Sequence, residues 1–329
     1  MAQNTYRIGR LLGWALVTIV VATISFAIYV YQYWHQPIAS QMTLEVGQGD
    51  TGLTIAKSLK APRSVLDEWV IKVGLRVFPL VPLAGEYGLA RGTTLYERMQ
   101  KIARGEVVKH HITIPPGLTW KQIVGLISSD TRIIQDFVPS PEQLGLAHYD
   151  SPEGWFYPDT YQFSKPYRAS QLIRRAVQRM KRQLSRAWDM RDKSLPLKDP
   201  YEMLILASIV EKETGRDDER AKVAGVFIAR IRKGMRLQSD PTVIYGLGEQ
   251  FDGDLRKADL QRDTPYNTYR RHGLPPTPIA CPDYKSLLAV AQPDIDGSLY
   301  FVADGNGGHV FAKTLDEHNK NVRKYQLRK

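Results

Sequence analysis

The chemistry that this 329-residue sequence offers is concentrated in two glutamates at the end of an apolar segment. Residues 201–215 read YEMLILASIVEKETG, and seven of the ten residues from 203 to 212 are apolar, which predicts a mostly buried helix. At about 100° per residue, Glu211 and Glu213 both leave this helix beside apolar neighbours. Because burial disfavours the charged form, it raises the pKa of a carboxyl group. Either glutamate could therefore stay protonated near neutral pH and act as a general acid in glycosidic cleavage.

Nearby cations offer a purely structural alternative for the same two glutamates. Lys212, Arg216 and Arg220 follow closely along the chain, so one or both carboxylates could simply be ion-paired. Helical periodicity does not distinguish Glu211 from Glu213 as the reactive group.

The elements that position these carboxylates can be read from capping residues. Asp199-Pro200 predicts the start of the glutamate helix, because proline is tolerated in a first helical turn. A second helix is predicted from residue 217 to a stop at Gly234. Asp240-Pro241 then repeats the cap-and-proline form, and this helix start could point three polar side chains at a ligand: Gln238, Ser239 and Asp240.

Three further segments combine aromatic and polar residues. TPYNTY (264–269) mixes hydroxyl, amide and aromatic groups, a combination typical of a sugar-binding groove. EGWFYPDTYQF (153–163) is dense in aromatics and fits either sugar stacking or a local aromatic core. LYFVADGNGGHVFA (299–312) predicts a β-hairpin, in which the glycine-rich turn is structural.

One local pattern occurs three times between residues 43 and 128. Each copy reads as a strand, a Gly-x-Thr turn and an amphipathic helix, and the shared pairs are Gly49/Thr51, Gly92/Thr94 and Gly117/Thr119. The first copy resembles the LysM glycan-binding motif, whereas the alternative is three ordinary strand–turn–helix units. In both cases residues 40–130 are predicted to form small α+β modules.

The N-terminal segment predicts the cellular location. Residues 11–34 contain no charged side chain, and 24 helical residues extend about 36 Å, more than the roughly 30 Å hydrocarbon core of a membrane. Arg7 and Arg10 precede this span, and no Lys or Arg follows it before Lys57. The positive-inside rule then places residues 1–10 in the cytoplasm and the remainder outside, where ATP and NAD chemistry is excluded. A cleaved signal peptide and a buried core helix are the alternatives. Four aromatic residues at the end of the span predict an interfacial belt: Tyr29, Tyr31, Tyr33 and Trp34.

Composition narrows the class of protein further. A single cysteine excludes an internal disulfide and multi-cysteine metal sites, and we find no nucleotide-binding motif, so neither a metal nor a cofactor is expected. The net charge is +11, of which +7 lies within residues 168–193, on the predicted amphipathic helix 170–190. This basic face fits a solvated surface, or one near anionic wall polymer or lipid headgroups; nucleic acid is not an expected partner outside the membrane.

Several motifs in a fixed order resemble the YceG/MltG family of membrane-anchored endolytic murein transglycosylases. They are ASIVEKET, MRLQSDPTVIYG, TPYNTY, GLPPTPIACP and YFVADGNGGHVF, with EGWFYPDTY upstream, and the resemblance covers about residues 40 to 325. It implies a lyase that cleaves the β-1,4 bond between N-acetylmuramic acid and N-acetylglucosamine inside glycan strands. The C6 hydroxyl of muramic acid attacks its own C1 and leaves a 1,6-anhydro end.

The resemblance also assigns roles to residues of this sequence. The family's acid and base is the second glutamate of Glu-x-Glu-Thr, which falls on Glu213, so Glu211 becomes a supporting residue or the alternative acid. Substrate binding is carried over by motif to seven positions: Gln238, Ser239, Asp240, Tyr266, Asn267, Thr268 and Tyr269.

The combined expectation is an α+β protein in three parts. A transmembrane helix (11–34) precedes the LysM-like α+β modules (40–130), and a mixed α+β catalytic domain (131–329) follows. We expect a single-pass protein of the inner membrane with its catalytic domain in the periplasm. The resemblance implies that it acts on peptidoglycan strands in association with peptidoglycan synthases and terminates strand elongation. Two alternatives remain: a muramidase, in which a partner such as Asp240 activates water, and a non-enzymatic wall-binding scaffold.

Overall fold

The computed structural model describes residues 2–327, with side chains from residue 7 onward, and divides the chain into two compact units. The first contains the residues up to His110 together with Gln162–Pro166, and the second contains His111–Tyr161 and the chain from Tyr167. Both helices and strands occur in each unit, so the predicted α+β class is confirmed. The division lies earlier than the predicted boundary at residue 130.

The first helix, α1 (Ala2–His35), contains the predicted span 11–34 and extends it at both ends. Its segment Arg7–His35 is long and apolar enough to cross a membrane, with a mean hydropathy of 2.3 over an 18-residue stretch. The side chains of its apolar part are exposed, as expected for a helix whose surroundings are not protein.

The end of α1 differs from the prediction, because two of the four aromatic residues are part of a protein core. Trp34 is fully buried and Tyr33 is nearly so, and the Trp34 indole nitrogen donates a hydrogen bond to the Val70 carbonyl at 3.2 Å. The interfacial belt is therefore wrong for these two residues. The physical reason is that the helix continues without a break into the first unit, which buries its last turn.

The first unit combines α1 with two strands and three helices. These are β1 (Met42–Val46), α2 (Gly52–Leu59), α3 (Val65–Val77), β2 (Gly85–Leu89) and α4 (Leu95–Ala103). Strands β1 and β2 are antiparallel, with Met42 opposite Leu89 and Val46 opposite Gly85. The apolar faces of the helices and strands form one core, which includes Trp34, Ile55, Val70, Ile71, Tyr87, Leu95 and Met99.

The second unit contains most of the helices. Apart from strand ends at the division, its elements are β3 (His110–Ile114), α5 (Trp120–Ser129), β4 (Asp159–Phe163), α6 (Ala169–Asp189), α7 (Pro200–Glu213), α8 (Asp217–Arg232), α9 (Asp240–Leu247), α10 (Lys257–Gln261), α11 (Tyr284–Ala291), β5 (Tyr300–Ala303), β6 (His309–Ala312) and α12 (Leu315–Tyr325). Helix α7 lies at the centre, in contact with α6, α8, α9 and α11. All its residues from 203 to 210 are buried, as predicted.

The three strand–turn–helix copies are confirmed in detail. Thr51, Thr94 and Thr119 each accept a hydrogen bond from a backbone N–H of the helix that follows, and the last two form complete capping boxes. In the turns, Gly49, Gly92 and Gly117 have φ of 95°, 86° and 77°, which favours glycine. The copies do not form one module, however. Strand β1 pairs with β2, whereas β3 pairs with β4, so the third copy belongs to the second unit.

Two other local predictions are also confirmed. Helix α6 coincides with the predicted amphipathic helix 170–190 and buries the predicted apolar face. Strands β5 and β6 form the predicted antiparallel hairpin, with Phe301 opposite Phe311. Its turn is closed by Asp304, whose side chain accepts hydrogen bonds from the N–H groups of Asn306 and Gly308.

Candidate active site

A cavity of about 510 Å³ lies in the second unit, at the end of α7. It is bounded by the end of α8, the start of α9, the hairpin β5–β6 and helix α12. The lining residues are Glu213, Arg230, Leu237, Gln238, Asp240, Tyr269, Tyr300, Phe301, Val302, Ala303, His309, Leu315, His318, Asn319, Val322 and Gln326.

Glu213, the last residue of α7, points its carboxyl group into this cavity. The Ser239 hydroxyl donates a hydrogen bond of 2.5 Å to its Oε1 atom. Burial raises the pKa of Glu213 to about 7 and the nearby Asp240 charge adds to the rise, whereas the Ser239 hydrogen bond and the charge of Arg230 oppose it. The raised pKa keeps this carboxyl group more protonated near neutral pH than an ordinary glutamate, as a general acid requires.

Glu211 points away from the cavity and joins three helices. Its side chain is only 5% exposed and lies 3.2 Å from Arg220 of α8. Its Oε2 atom also accepts hydrogen bonds from the Asp283 backbone at 3.0 Å and the Ser286 hydroxyl at 2.7 Å, both at the start of α11. Ion pairing with Arg220, the structural alternative, thus applies to Glu211.

The segment before α9 holds Glu213 in place through Ser239. Ser239 occupies the N-cap position of α9, but its hydroxyl makes no capping bond and faces Glu213 instead. The prediction of Asp240 as the cap is therefore wrong by one residue, since Asp240 is already helical. Its carboxylate lines the cavity and accepts a hydrogen bond of 2.6 Å from the Tyr269 hydroxyl.

Gln238 has a strained backbone at the edge of the cavity. Its φ is 51°, a left-handed conformation that costs a non-glycine residue roughly 1 kcal/mol or more. The backbone is held by the N–H of Gln238, which donates to the Thr268 carbonyl at 3.2 Å. Strain of this kind is common where a side chain must be aimed at a ligand.

The segment 264–269 contributes one residue to the cavity and uses the others internally. Tyr269 lines the cavity, whereas Asn267 and Thr268 are buried. Thr268 accepts a hydrogen bond from the backbone of Ser239 at 3.0 Å, and the Asn267 amide donates to the Arg262 carbonyl at 2.6 Å.

Tyr266 likewise has an internal partner, since its hydroxyl lies 2.9 Å from that of Thr277. The seven residues assigned to substrate binding are thus divided by the structure. Gln238, Asp240 and Tyr269 line the cavity and Ser239 touches Glu213, while Tyr266, Asn267 and Thr268 support the loop behind them.

Arg230 is the main cavity residue that was not predicted from the sequence. It is buried in α8, and its guanidinium donates hydrogen bonds of 2.7 Å to the carbonyls of Leu299 and Leu237. Burial lowers the pKa of this guanidinium. A signal was present, because Arg230 follows Val223 and Val226 at the spacing of the buried face of α8. A charged residue on an apolar face indicates a function or a buried partner.

The hairpin and the last helix form a wall of the cavity, which was also not predicted from the sequence. Tyr300 and His309 lie on the strands and His318 lies on α12, where it stacks on Tyr300 at 5.2 Å. Burial and the charge of Arg230 lower the pKa of His318. His309 is held by Glu219, whose carboxylate lies 2.8 Å from its Nδ1 atom.

The aromatic segment 153–163 belongs to the second unit up to Tyr161, and this part of it forms a local core. Trp155, Phe156 and Tyr161 are buried, which favours the core over sugar stacking. Glu153 is buried beside them, where it accepts hydrogen bonds from the Trp120 backbone at 2.8 Å and the Tyr245 hydroxyl at 3.2 Å. Burial raises its pKa, but it does not line the cavity. Within residues 7–327, no three His, Cys, Asp or Glu side chains are placed to share a metal ion.

Comparison with known proteins gives concordant matches. Residues 44–324 match the YceG-like family. A Bacillus subtilis protein named endolytic murein transglycosylase is 34% identical over 263 residues, which cover 74% of this chain and 72% of that protein. A Streptococcus pneumoniae protein of the same name is 29% identical over 277 residues; the match covers 73% of this chain but only 50% of the pneumococcal protein.

A solved structure has a similar fold. The crystal structure of a YceG-like protein from Listeria monocytogenes matches with a TM-score of 0.55 and 29% sequence identity. The match covers 86% of this chain and 99% of the Listeria chain.

Proposed function

Because this chain belongs to the YceG-like family, we propose that it is an endolytic murein transglycosylase, a lyase that cleaves peptidoglycan strands internally. The observation that carries the proposal is Glu213. Its carboxyl group lies in a cavity, with a pKa raised to about 7. The neighbouring Glu211 is committed to an ion pair with Arg220.

In the first half of the proposed reaction, Glu213 acts as a general acid. Its proton passes to the glycosidic oxygen as the bond between C1 of N-acetylmuramic acid and O4 of N-acetylglucosamine breaks. The departing sugar thereby leaves as a neutral alcohol, and Glu213 becomes a carboxylate. The Ser239 hydroxyl, which donates to Oε1, stabilises that charge.

In the second half, the same carboxylate acts as a base. It takes the proton of the muramic acid C6 hydroxyl, whose oxygen forms the new bond to C1 and closes the 1,6-anhydro ring. The proton balance is zero and Glu213 returns to its starting state. An intramolecular nucleophile requires neither a second carboxylate nor an activated water, unlike the two-carboxylate glycosidases.

A muramidase is the second candidate, and Asp240 is the observation that favours it. Its exposed carboxylate lines the same cavity as Glu213 and could activate a water molecule. Asp240 accepts a hydrogen bond from Tyr269, which holds the carboxylate in position in either reaction.

The remaining proposals concern location and partners. Helix α1 anchors the chain in the inner membrane as a single span, with the N-terminus in the cytoplasm and the catalytic unit in the periplasm. Nascent glycan strands emerge at that surface, so the enzyme associates with peptidoglycan synthases and terminates strand elongation. The exposed turn Gly49–Thr51, which resembles the LysM motif, binds glycan.

Product analysis tests the activity. The full chain in detergent is incubated with sacculi and with nascent uncrosslinked glycan, and the products are identified by mass spectrometry. The whole chain is needed because Trp34 belongs to the core of the first unit. We expect internal fragments ending in 1,6-anhydro-muramic acid from the wild type and none from Glu213→Gln.

Each other outcome identifies a different error. Reducing ends would indicate a hydrolase and direct attention to Asp240. Anhydro product that survives in Glu213→Gln but disappears in folded Glu211→Gln would mean that the other glutamate is catalytic. A wild-type chain that binds sacculi and releases nothing would favour a scaffold.

A further inference from the structure

The first turns of α3 expose a group of large apolar side chains. Val65 is 76% exposed, Leu66 50% and Trp69 59%. We call these three residues the apolar tip. The other face of α3 is buried, since Val70 and Ile71 belong to the core of the first unit. Adjacent exposed side chains of this size are unusual on a surface that meets only water.

The apolar tip lies beside the outer end of α1. The Tyr29 hydroxyl of α1 donates a hydrogen bond of 2.8 Å to the Asp67 carboxylate in the first turn of α3. Further along both helices, Trp34 donates to the Val70 carbonyl and packs against Gly74. Later residues of α1 thus meet later residues of α3, so the two helices run in the same direction and α3 starts nearest the apolar span.

The depth of this contact follows from helix geometry. If Arg10 marks the inner edge of the hydrocarbon core, Tyr29 lies about 28 Å further along α1, close to the outer edge of a core roughly 30 Å thick. Asp67 is held at this level by Tyr29. Val65 and Leu66 precede Asp67, and helical side chains tilt towards the N-terminus, which here points towards the membrane.

The residues around the apolar tip suit a lipid surface. Tryptophan is enriched at the boundary between headgroups and acyl chains. Lys72 lies over the Trp69 ring at 5.6 Å, and Lys60 donates to the Tyr33 carbonyl beside the end of the span. Glu68 pairs with Lys72 at 3.4 Å and with Lys57 at 2.8 Å, so these cations outnumber the carboxylate between them. Together with exposed Arg63, they give the surface around the tip a positive charge that matches the anionic phosphates of lipid headgroups.

We propose that the apolar tip inserts into the outer leaflet of the membrane that α1 spans, so that the first unit contacts the bilayer at two places. The proposal rests on the proposed anchoring by α1. Its consequence is orientation, because a helix that is joined rigidly to the unit and a second apolar contact together fix the tilt of the unit on the membrane.

Spin-label accessibility tests the insertion. The full chain is placed in nanodiscs of phosphatidylethanolamine and phosphatidylglycerol, with a nitroxide attached to Leu66→Cys. Val77→Cys is the matched control, since Val77 is 61% exposed at the far end of the same helix. Ile19→Cys reports on the span itself. The native Cys281 is buried, and the unmodified chain measures its background labelling.

We expect the label at position 66 to favour oxygen over a water-soluble nickel complex severalfold more than the label at position 77. Equal accessibility at the two positions, with position 19 protected, would overturn the insertion and leave the anchor intact. Nickel access at position 19 would overturn both. If the label at position 66 is protected from the nickel complex only in samples whose spectra show spin–spin broadening, a second copy of the chain covers the tip. That result would also overturn the proposal. None of these outcomes depends on transglycosylase activity.

Discussion

Replacing Ser239 by alanine should change the pH dependence of the proposed reaction in a defined direction. The Ser239 hydroxyl donates to Oε1 of Glu213 and stabilises the carboxylate, so its loss favours the protonated form and raises the pKa. The backbone N–H of Ser239 keeps its bond to Thr268, which should preserve the loop.

The size of the effect follows from the burial of the hydrogen bond. A hydrogen bond to a charged group contributes about 1.5–3 kcal/mol, and one pKa unit corresponds to about 1.4 kcal/mol. Ser239 is 1% exposed, so water has little access to the donor position in the intact site. From a starting pKa of about 7, we expect Ser239→Ala to reach about 8 to 9.

The assay is the release of 1,6-anhydro product as a function of pH. The first step needs protonated Glu213, so the rate falls as pH rises through the pKa, and this alkaline limb should move up by about 1–2 pH units in Ser239→Ala. Asp240→Asn should shift the alkaline limb in the opposite direction, because it removes a negative charge that raises the Glu213 pKa. Since Asp240 is exposed, solvent screening limits the downward shift to less than about one unit.

Opposite shifts in two adjacent variants are not produced by general damage to the site. An alkaline limb that stays in place in a folded, active Ser239→Ala variant would refute the reasoning. It would mean either that protonation of Glu213 does not limit the rate, or that Ser239 does not stabilise its carboxylate.

Three stability predictions follow from the same contacts, each measured by unfolding of the full chain in detergent. The folded-state pKa of Glu213, about 7, exceeds the ordinary value of 4.5, so the stability that the protonated carboxyl group contributes is lost as pH rises from 4.5 to 7. Glu213→Gln should therefore be up to about 3 kcal/mol more stable than wild type at pH 8. A stability difference that did not shrink at acidic pH would contradict this. Glu211→Ala leaves Arg220 buried without this partner and should cost about 3–5 kcal/mol; a loss below about 1 kcal/mol would place the ion pair in solvent. Gly74→Ala puts a Cβ 2.0 Å from the Trp34 indole nitrogen and should destabilise the folded chain by about 1–3 kcal/mol. A stabilisation of about 1 kcal/mol, which is the helix-propensity gain of alanine over glycine, would mean that α1 and α3 do not pack as described.

Local structure was predictable wherever neighbouring residues decide it. Thr94 and Thr119 with their capping partners mark helix starts, and the glycines two positions earlier mark the turns. The apolar face of α6 and the hairpin turn at Asp304 follow from spacing and turn chemistry in the same way. All of these features depend on interactions between residues close in sequence, and such interactions can be predicted from residue type and spacing.

The grouping of these units was not predictable from the same signals. The three strand–turn–helix copies look alike along the chain, yet the third pairs with β4 across the long segment that separates them. The Trp34 side chain is equally suited to a lipid interface or a protein core, and its position beneath Gly74 decides for the core. Which alternative is adopted depends on contacts with residues that are distant in sequence.

The sequence by itself determined an apolar membrane-length helix, an α+β body, a buried helix ending in two carboxylates and a set of motifs that resemble one family. The different environments of the two glutamates were decided only by tertiary structure. Helical geometry gives the direction in which Glu211 and Glu213 leave α7, but not what lies there. The hydroxyl of Ser239, 26 residues away, meets one carboxylate, and Arg220 meets the other. Because a carboxyl pKa depends on burial and on nearby charges, the chemistry of each glutamate is set by these distant partners.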